Sequence, residues 1–351
     1  MDADDISEID IEALLKAMQP PTLPRELHEK APSLKAFVSG LDRIHSLSVL
    51  GGLQIFPDLQ ANTIRMDWAM RLVAANASGS KKLKRNEWQS FLNKQLGESG
   101  VNRLEDPIED FFVAPVITSQ GEFCIILSCW ENASFHTEQL IEAFSQLPNS
   151  TTKDEVVTQV FALLTLSDAM IKRAGIARRI SGSGEPFKDL ELPSQRRIDQ
   201  LSQFVWFSWS EIEQLVIDPL FLRPFILPIE NASAIADQPI GNSLIDFKPL
   251  IISDDGILIA APGAISTAIR GLLIHAATTN GMGRALQRHL NTQNAKAAKF
   301  AGLGDLVGAP DMPIGEQLVR QSVREISAGR YVHVLLAVDG FGRHAARSHS
   351  A

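Results

Sequence analysis

The densest group of carboxylates in the sequence precedes and opens a pair of predicted strands. Its members are Glu105, Asp106, Glu109, Asp110 and Glu122. A hard cation such as Mg²⁺ takes several oxygen ligands and bridges substrate phosphates, so acids on adjacent strands are typical of metal-dependent nucleases. A site of the restriction-endonuclease type also places a lysine two residues after its second acid, but this chain has Cys124 there. Solvated acids at a strand entry are our first interpretation, and a Mg²⁺-dependent nuclease is the alternative.

Basic residues form two candidate phosphate-binding groups. The first is a one-sided stripe on a helix predicted from residue 284 to about residue 300, made of Arg284, Arg288, Lys296 and Lys299. The second follows a Gly/Ser turn and is made of Lys81, Lys82, Lys84 and Arg85. A nucleic-acid backbone would attract either group. Ordinary exposed helix faces carry the same pattern, so nucleic acid is the alternative partner.

The sequence lacks the common motifs for a catalytic nucleophile, a metal site or a dinucleotide site. The sequence contains no GxSxG, HExxH or GxGxxG pattern. Cys124 and Cys129 have neither redox nor zinc-site spacing, and we expect both to be reduced and buried. His136 is the one histidine close to Cys129, whose thiol would stay protonated in an apolar strand. His275 is expected to be a core residue of its helix. We therefore predict no catalytic residues, no cofactor and no metal.

Length and composition indicate a soluble, cytoplasmic protein. At 351 residues with 45% hydrophobic residues, the chain can form two or three cored units. No apolar run is long enough to span a bilayer. The net charge of −8 is uneven, since residues 262–351 hold ten Lys/Arg against five Asp/Glu and the remainder is net −13. The basic end is expected to dock on the acidic remainder or on an acidic partner.

The first half should contain helices around one strand pair. Apolar spacing predicts helices over residues 33–44 and 63–75, joined through Gly51-Gly52 and Pro57. Strands are predicted at 111–117 and 123–130, the second in the interior of a sheet because it is apolar throughout. Helices should follow over residues 137–147 and 153–180.

The second half shows the sharpest pattern in the chain. The aromatic run 204–209 should pack in the core, and residues 222–228 should run extended or as an edge strand. Asp254-Asp255-Gly256 predicts a tight turn between two short strands, followed by a helix that opens at Pro262. A further helix is predicted over residues 315–326, and 331–338 reads as a buried central strand. The residues after it lack a core pattern.

We therefore predict an α+β protein with an acidic lead-in (1–32), an N-terminal domain (33–148), a helical connector (149–240) with a linker at 181–186, and a C-terminal domain (241–351). The C-terminal domain should hold a β-hairpin, amphipathic helices and one buried strand. Either the sequence is a piece of a longer protein, or the hairpin near Ile251 completes the sheet to which the buried strand belongs. The function that fits best is a non-enzymatic interaction or regulatory module of a larger bacterial-type protein or complex. Its partner would be a protein or further domains of the same chain.

Overall fold

The structure is a computed structural model that describes residues 25–56, 59, 63–97, 113–126, 133–176, 189–228, 244–290, 306–308, 311–314, 317–327, 330–338 and 344–350. Helices and three small antiparallel sheets confirm the α+β class. Apolar side chains from Leu34 to Leu290 form a connected core. None of the described helices is both long and apolar enough to cross a membrane. The predicted linker 181–186 lies outside the described residues, and the division into domains stays a prediction.

The described part of the chain begins with four helices. They are α1 (Arg25–Ser39), α2 (Arg43–Gln54), α3 (Thr63–Asn76) and α4 (Arg85–Ser90), which continues as a π-helical segment (Phe91–Leu96). Helix α1 begins well before the predicted start at residue 33, because its charged first half is composed of good helix formers and lacks the apolar spacing used for prediction. The helical conformation ends before Gly40. The Asp42 side chain then caps α2 by accepting from His45 N at 3.0 Å.

The predicted break at Gly51-Gly52 is wrong, because both glycines lie inside α2. Both glycines allow neighbouring backbone segments to pack directly against α2. A Cβ added at Gly52 would lie 2.6 Å from the carbonyl carbon of Leu201, and one at Gly51 would lie 3.0 Å from Ile259 O. Glycine lowers helix propensity, but here it lets two neighbouring segments approach the helix backbone directly.

A two-stranded hairpin follows, with β1 at Val113–Thr118 and β2 at Gly121–Ile126. Strand β2 was predicted to lie in the interior of a sheet, and that is wrong: among the described residues its strand partner is β1. Its apolar half is covered by helices instead, chiefly α6 (Thr151–Ala174), while α5 (Ala133–Ser145) packs on β1. An unbroken apolar run shows that both faces are covered, but it does not say whether strands or helices cover them.

Helix α6 has a strong signal at each end. Ser150 accepts from Lys153 N at 3.1 Å, and Gly175 takes the left-handed conformation with φ 67°. These caps are what Ser and Gly provide at helix termini. The helix therefore ends at Ala174, six residues before the predicted end at 180.

The aromatic run packs in the core as predicted. It spans the end of α7 (Gln195–Phe204), the strand β3 (Trp206–Ser208) and the start of α8 (Trp209–Gln214). Arg173 of α6 holds this segment by donating to Trp206 O and to Glu211 Oε1, both at 2.7 Å. Its guanidinium also lies 4.1 Å from the centre of the Phe207 ring.

The proline-rich stretch is helical rather than extended. A 3₁₀ helix spans Pro219–Phe225, and only at Ile226 does the chain bridge a strand residue, Leu250. Pro219 sits in the first turn and the Asp218 side chain accepts from Leu220 N at 2.9 Å. Those two residues start a helical turn. The short 3₁₀ helix also accommodates Pro224 near its end.

The predicted hairpin and its helix are confirmed. After a one-turn helix α9 (Leu244–Phe247) come β4 (Leu250–Ser253), β5 (Gly256–Ile259), a 3₁₀ turn (Pro262–Ala264) and α10 (Ile265–Thr279). Strand β3 completes the sheet beside β5. Gly256 has φ 153°, and a Cβ there would lie 2.0 Å from Phe207 O. The chain turns again at Gly281 and continues as helical residues 283–290.

The C-terminal part is a five-stranded sheet, so the predicted helix over 315–326 is wrong. Its strands are β6 (Leu306–Gly308), β7 (Asp311–Ile314), β8 (Gln317–Ser327), β9 (Arg330–Val338) and β10 (His344–Ser350). Val319, Val323 and Ile326 fit helical spacing, but β-branched residues favour a strand once a neighbouring strand offers backbone partners. Strand β9 is central as predicted, between β8 and β10, and the tail predicted to lack structure pairs with it.

We expect Gly52→Ala to lower the free energy of unfolding by about 1–3 kcal/mol, because the added methyl group must push α2 away from the α7 backbone. Urea denaturation followed by circular dichroism measures the change. Gly97→Ala is the matched control, since a Cβ there would meet Leu92 O at an ordinary 3.8 Å. Equal unfolding midpoints for the two variants would show that the close contact does not constrain the fold.

Candidate functional site

The predicted acidic cluster is only partly within the described residues. Glu105, Asp106, Glu109 and Asp110 lie outside them, and Glu122 is an exposed residue near the start of β2. A further carboxylate at this hairpin is Glu138 of α5, which accepts from Ile117 N at 2.5 Å. The pKa of Glu138 is raised, chiefly because the side chain is partly buried. The Ile117 hydrogen bond opposes this shift and the negative charge of Glu122 adds to it. Within the described ranges, no three His, Cys, Asp or Glu side chains gather as a metal site would require.

The predicted basic stripe is also only half described. Arg284 and Arg288 lie one turn apart on helical residues 283–290 and are both exposed, while Leu286 and Leu290 of the same helix are buried. Lys296 and Lys299 lie outside the described residues. The nucleic-acid role of this stripe stays a prediction.

The cluster at 81–85 has a structural member and an exposed part. Arg85 donates to Leu192 O at 2.7 Å and to Pro193 O at 2.9 Å, and its backbone N–H donates to the side chain of Gln195 at 2.7 Å. These bonds bring the cluster against the start of α7, where Arg196 is exposed. Lys81 pairs with Glu87 at 2.9 Å, whereas Lys82 and Lys84 are exposed.

The cysteine and histidine predictions have mixed outcomes. Cys124 is buried as expected and forms no disulfide within the described residues, and its backbone N–H donates to Asp168 at 3.2 Å. Cys129 and the side chain of His136 lie outside the described residues. His275 was predicted to be a core residue, and that is wrong. It is exposed, because the buried face of α10 is set by Ile269, Leu273 and their neighbours, and position 275 points away from it.

His275 stands at a half-open cavity of about 590 Å³ between α10 and two short segments. The 3₁₀ helix contributes Phe225, the end of α9 contributes Phe247, and α10 contributes Gly271 and Leu272. Phe247 lies flat against α10 because residue 271 has no side chain: a Cβ there would lie 2.5 Å from the ring. The wall is mainly apolar.

Lys248 supplies the main positive charge of the cavity wall. Its side chain is half-buried and its Nζ donates to Pro224 O at 3.0 Å. This bond ties the end of α9 to the 3₁₀ helix, and it also holds the ammonium group beside the apolar wall. The cavity can therefore offer an apolar surface and a fixed cation to one occupant.

A buried polar network begins at the residue before Phe247. Asp246 of α9 receives two hydrogen bonds from the guanidinium of Arg71 on α3, from Nη2 at 3.0 Å and Nε at 3.4 Å. One turn earlier on α3, Asp67 accepts from the side-chain amide of Gln54 at the end of α2. The other side of that amide accepts from Gly263 N at 3.0 Å. Three helices and the turn before α10 thus meet at one set of polar bonds.

Asp67 has the most displaced proton affinity in this network. Burial raises its pKa to about 7, the positive charge of Arg71 lowers it, the negative charge of Asp246 raises it, and the Gln54 hydrogen bond lowers it. A carboxyl group with this pKa exchanges its proton near neutral pH. Strongly perturbed acids mark candidate functional sites, although structural ion-pair networks also produce them. Asp67 is connected to the cavity wall through Arg71 and Asp246, the residue before Phe247.

Sequence reasoning missed every member of this site except His275, which it placed in the core. Two signals were present. Asp67 and Arg71 stand one helical turn apart inside the apolar pattern of α3, and a glycine lies in the middle of helix α10 at position 271. Neither identifies its partner, since Asp246 lies 175 residues from Arg71 in sequence.

We expect Asp67 to remove stability from the protein as the pH rises from about 4 to about 7, because folded Asp67 holds its proton more tightly than the unfolded chain does. Asp67→Asn stays uncharged and should lose this contribution. Relative to wild type it should gain about 2–4 kcal/mol between pH 4 and pH 8. Urea midpoints at both ends of that range measure the difference.

The control is Asp255→Asn in the exposed turn between β4 and β5. It changes the same chemical group away from the network. Parallel stability profiles for the wild type and Asp67→Asn would contradict the assignment of the raised pKa to Asp67.

The comparisons with known proteins identify one family. A family model described as "Anti-phage protein Upx-like" matches residues 23–324, which include the cavity and the whole polar network. No curated protein and no solved structure gives a match. Because the matched stretch covers most of the 351 residues, the chain belongs to the Upx-like family of anti-phage proteins.

Proposed function

We propose that this chain serves anti-phage defence as a non-enzymatic regulatory module that binds a ligand in the α9–α10 cavity and passes the change to a protein partner. The observation that carries the proposal is the cavity itself. Its volume of about 590 Å³ falls in the range of roughly 300–1,000 Å³ that small-molecule sites occupy. Mainly apolar walls with a few fixed polar groups are the usual composition of such sites.

Consecutive residues offer a path from the cavity to the rest of the fold. Phe247 and Lys248 line the cavity, and Asp246 before them holds Arg71 of α3. We propose that a ligand that displaces Phe247 also moves α9, a single turn of four residues that ends at Phe247. The movement would strain the hydrogen bonds between Asp246 and Arg71. Because this ion pair is buried, breaking it costs free energy. This coupling is the regulatory step that we propose.

Other charged side chains of the described core hold elements together, which favours binding over catalysis as the role of this part of the chain. Arg173 bridges α6 to β3 and α8, and Asp168 accepts from Cys124 N of β2 while pairing with Lys172 at 2.5 Å. These side chains are engaged in protein contacts away from the cavity.

We expect Leu272→Trp to fill the cavity and abolish protection while the protein still folds, since Leu272 is a half-buried residue of the wall. The measurement is the efficiency of phage plating on cells that produce each variant, with protein levels checked by immunoblot. Thr279→Trp is the matched control, because it adds the same side chain at an exposed position of α10. Full protection by Leu272→Trp at normal protein levels would overturn the proposal.

Phosphate-backbone binding is the second candidate function, and one contact favours it. The hydrogen bonds of Arg85 to Leu192 O and Pro193 O place exposed Lys82 and Lys84 beside exposed Arg196 of α7. Carbonyl oxygens accept these bonds, so the charge of Arg85 is not cancelled by a carboxylate there. Nucleic acid would meet a cationic surface drawn from two separate segments, and Arg284 and Arg288 remain a separate candidate surface.

We expect the triple change Lys82→Gln, Lys84→Gln and Arg196→Gln to weaken nucleic-acid binding without affecting stability. The slope of log K against log salt should become shallower by about 0.7–0.9 for each phosphate that the variant no longer neutralises. Fluorescence anisotropy with short DNA and RNA at about 50 and 200 mM salt measures it. Arg284→Gln with Arg288→Gln is the comparison, and binding that only this pair weakens would exclude the 82–196 surface.

A further inference from the structure

We infer that the cavity takes a small molecule with an apolar body and a single negatively charged group, held by Lys248. This inference deepens the proposed function and depends on it for its biological meaning. It names the chemical class of the ligand from the distribution of apolar surface and charge around the cavity.

The apolar body is indicated by the wall. Phe225, Phe247, Leu272 and Ile274 supply ring and aliphatic surface from three segments of the chain, and Ala268 adds a small apolar side chain on α10. A ligand that covers this surface removes it from water and gains about 25 cal/mol for each Å² buried. A strongly polar molecule would gain nothing from these contacts and would lose its own hydration.

The negative group is indicated by Lys248. Its ammonium has three N–H donors, and the neutral carbonyl oxygen of Pro224 accepts at 3.0 Å. No carboxylate forms an ion pair with Lys248 among the residues that the structure describes. The bond to Pro224 holds the charge at the edge of the apolar wall, where an anionic ligand group would be paired and hydrogen-bonded at once.

A single charge fits better than several. Lys248 is half-buried in the wall, and the other ionisable side chain there is the exposed His275. A nucleotide or polyphosphate carries several negative charges, and Lys248 is the one permanent cation in the cavity wall to pair with them. Aromatic sulfonates and medium-chain carboxylates have the expected combination of one charge and a large apolar part.

The test uses 8-anilinonaphthalene-1-sulfonate, which has this combination and fluoresces in an apolar site. Saturable binding to the folded full chain is expected, with displacement by decanoate and much weaker displacement by uncharged decanol. Lys248→Met should raise the Kd of the dye by roughly 10–100-fold, the effect of losing a charged hydrogen bond. Lys248→Arg should change it by less than about threefold because the charge remains.

Controls separate a specific site from loose folding, since the dye also binds partly unfolded chains. The urea midpoint of each variant must stay near that of the wild type, with no larger decrease than the loss of the hydrogen bond from Lys248 to Pro224 O would cause. Leu272→Trp must abolish dye binding. Equal dye affinity of Lys248→Met and wild type, or equal displacement by decanol and decanoate, would overturn the assignment of an anionic ligand.

The outcomes also separate this inference from the proposed function. If Leu272→Trp loses phage protection but neither the dye nor decanoate binds the wild type, the ligand class is wrong and the regulatory role of the cavity is retained. If the dye binds as expected and Leu272→Trp protects fully, the ligand class is retained and the regulatory role is wrong.

Discussion

Direct backbone contact at two adjacent glycines of α2 is the constraint on which the rest of this structure depends. Gly51 meets the end of β5 and Gly52 meets α7, with no side chain between the backbones. The last residue of the helix, Gln54, is thereby brought to Gly263 at the turn before α10 and to Asp67 of α3. A side chain at either glycine would separate these elements and pull the amide away from both of its partners. The polar network and the start of α10 therefore follow from how closely α2 can pack.

The network places charged groups in the interior, where each needs a partner. Arg71 and Asp246 satisfy one another with two hydrogen bonds, and their side chains are only 7% and 14% exposed. Asp67 lies beside them with a single amide partner, so burial dominates and its pKa rises to about 7. Removing one partner of a buried pair leaves the other charge unsatisfied, which makes the position of α9 strongly fixed. The same helix forms part of the cavity wall, so the fixed network and the ligand-sized space share one element.

Membership of the Upx-like family establishes an anti-phage context, and our proposal gives the cavity a part in it. A defence protein must respond to infection, and a ligand site joined to a buried ion pair is one way to couple recognition to a change in shape. The exposed basic residues beside α7 are drawn together by Arg85 through a different set of contacts. The two surfaces lie on different elements, so their roles can be separated by substitution.

The sequence by itself determined the local features whose signals are short-range: the α+β class, the β4–β5 hairpin at Asp254-Asp255-Gly256, the helix behind Pro262, the core role of the aromatic run and the central strand β9. Turn chemistry, proline geometry and apolar periodicity are written within a few residues, so they could be read directly. Tertiary structure alone decided that Gly51 and Gly52 lie within a helix, that residues 317–327 are a strand, that β2 is covered by helices, and that Asp246 meets Arg71. Each of these depends on a contact with another segment of the chain, close in sequence for β8 and more distant for the others. The free energy of that contact outweighs the local preference of the residues involved.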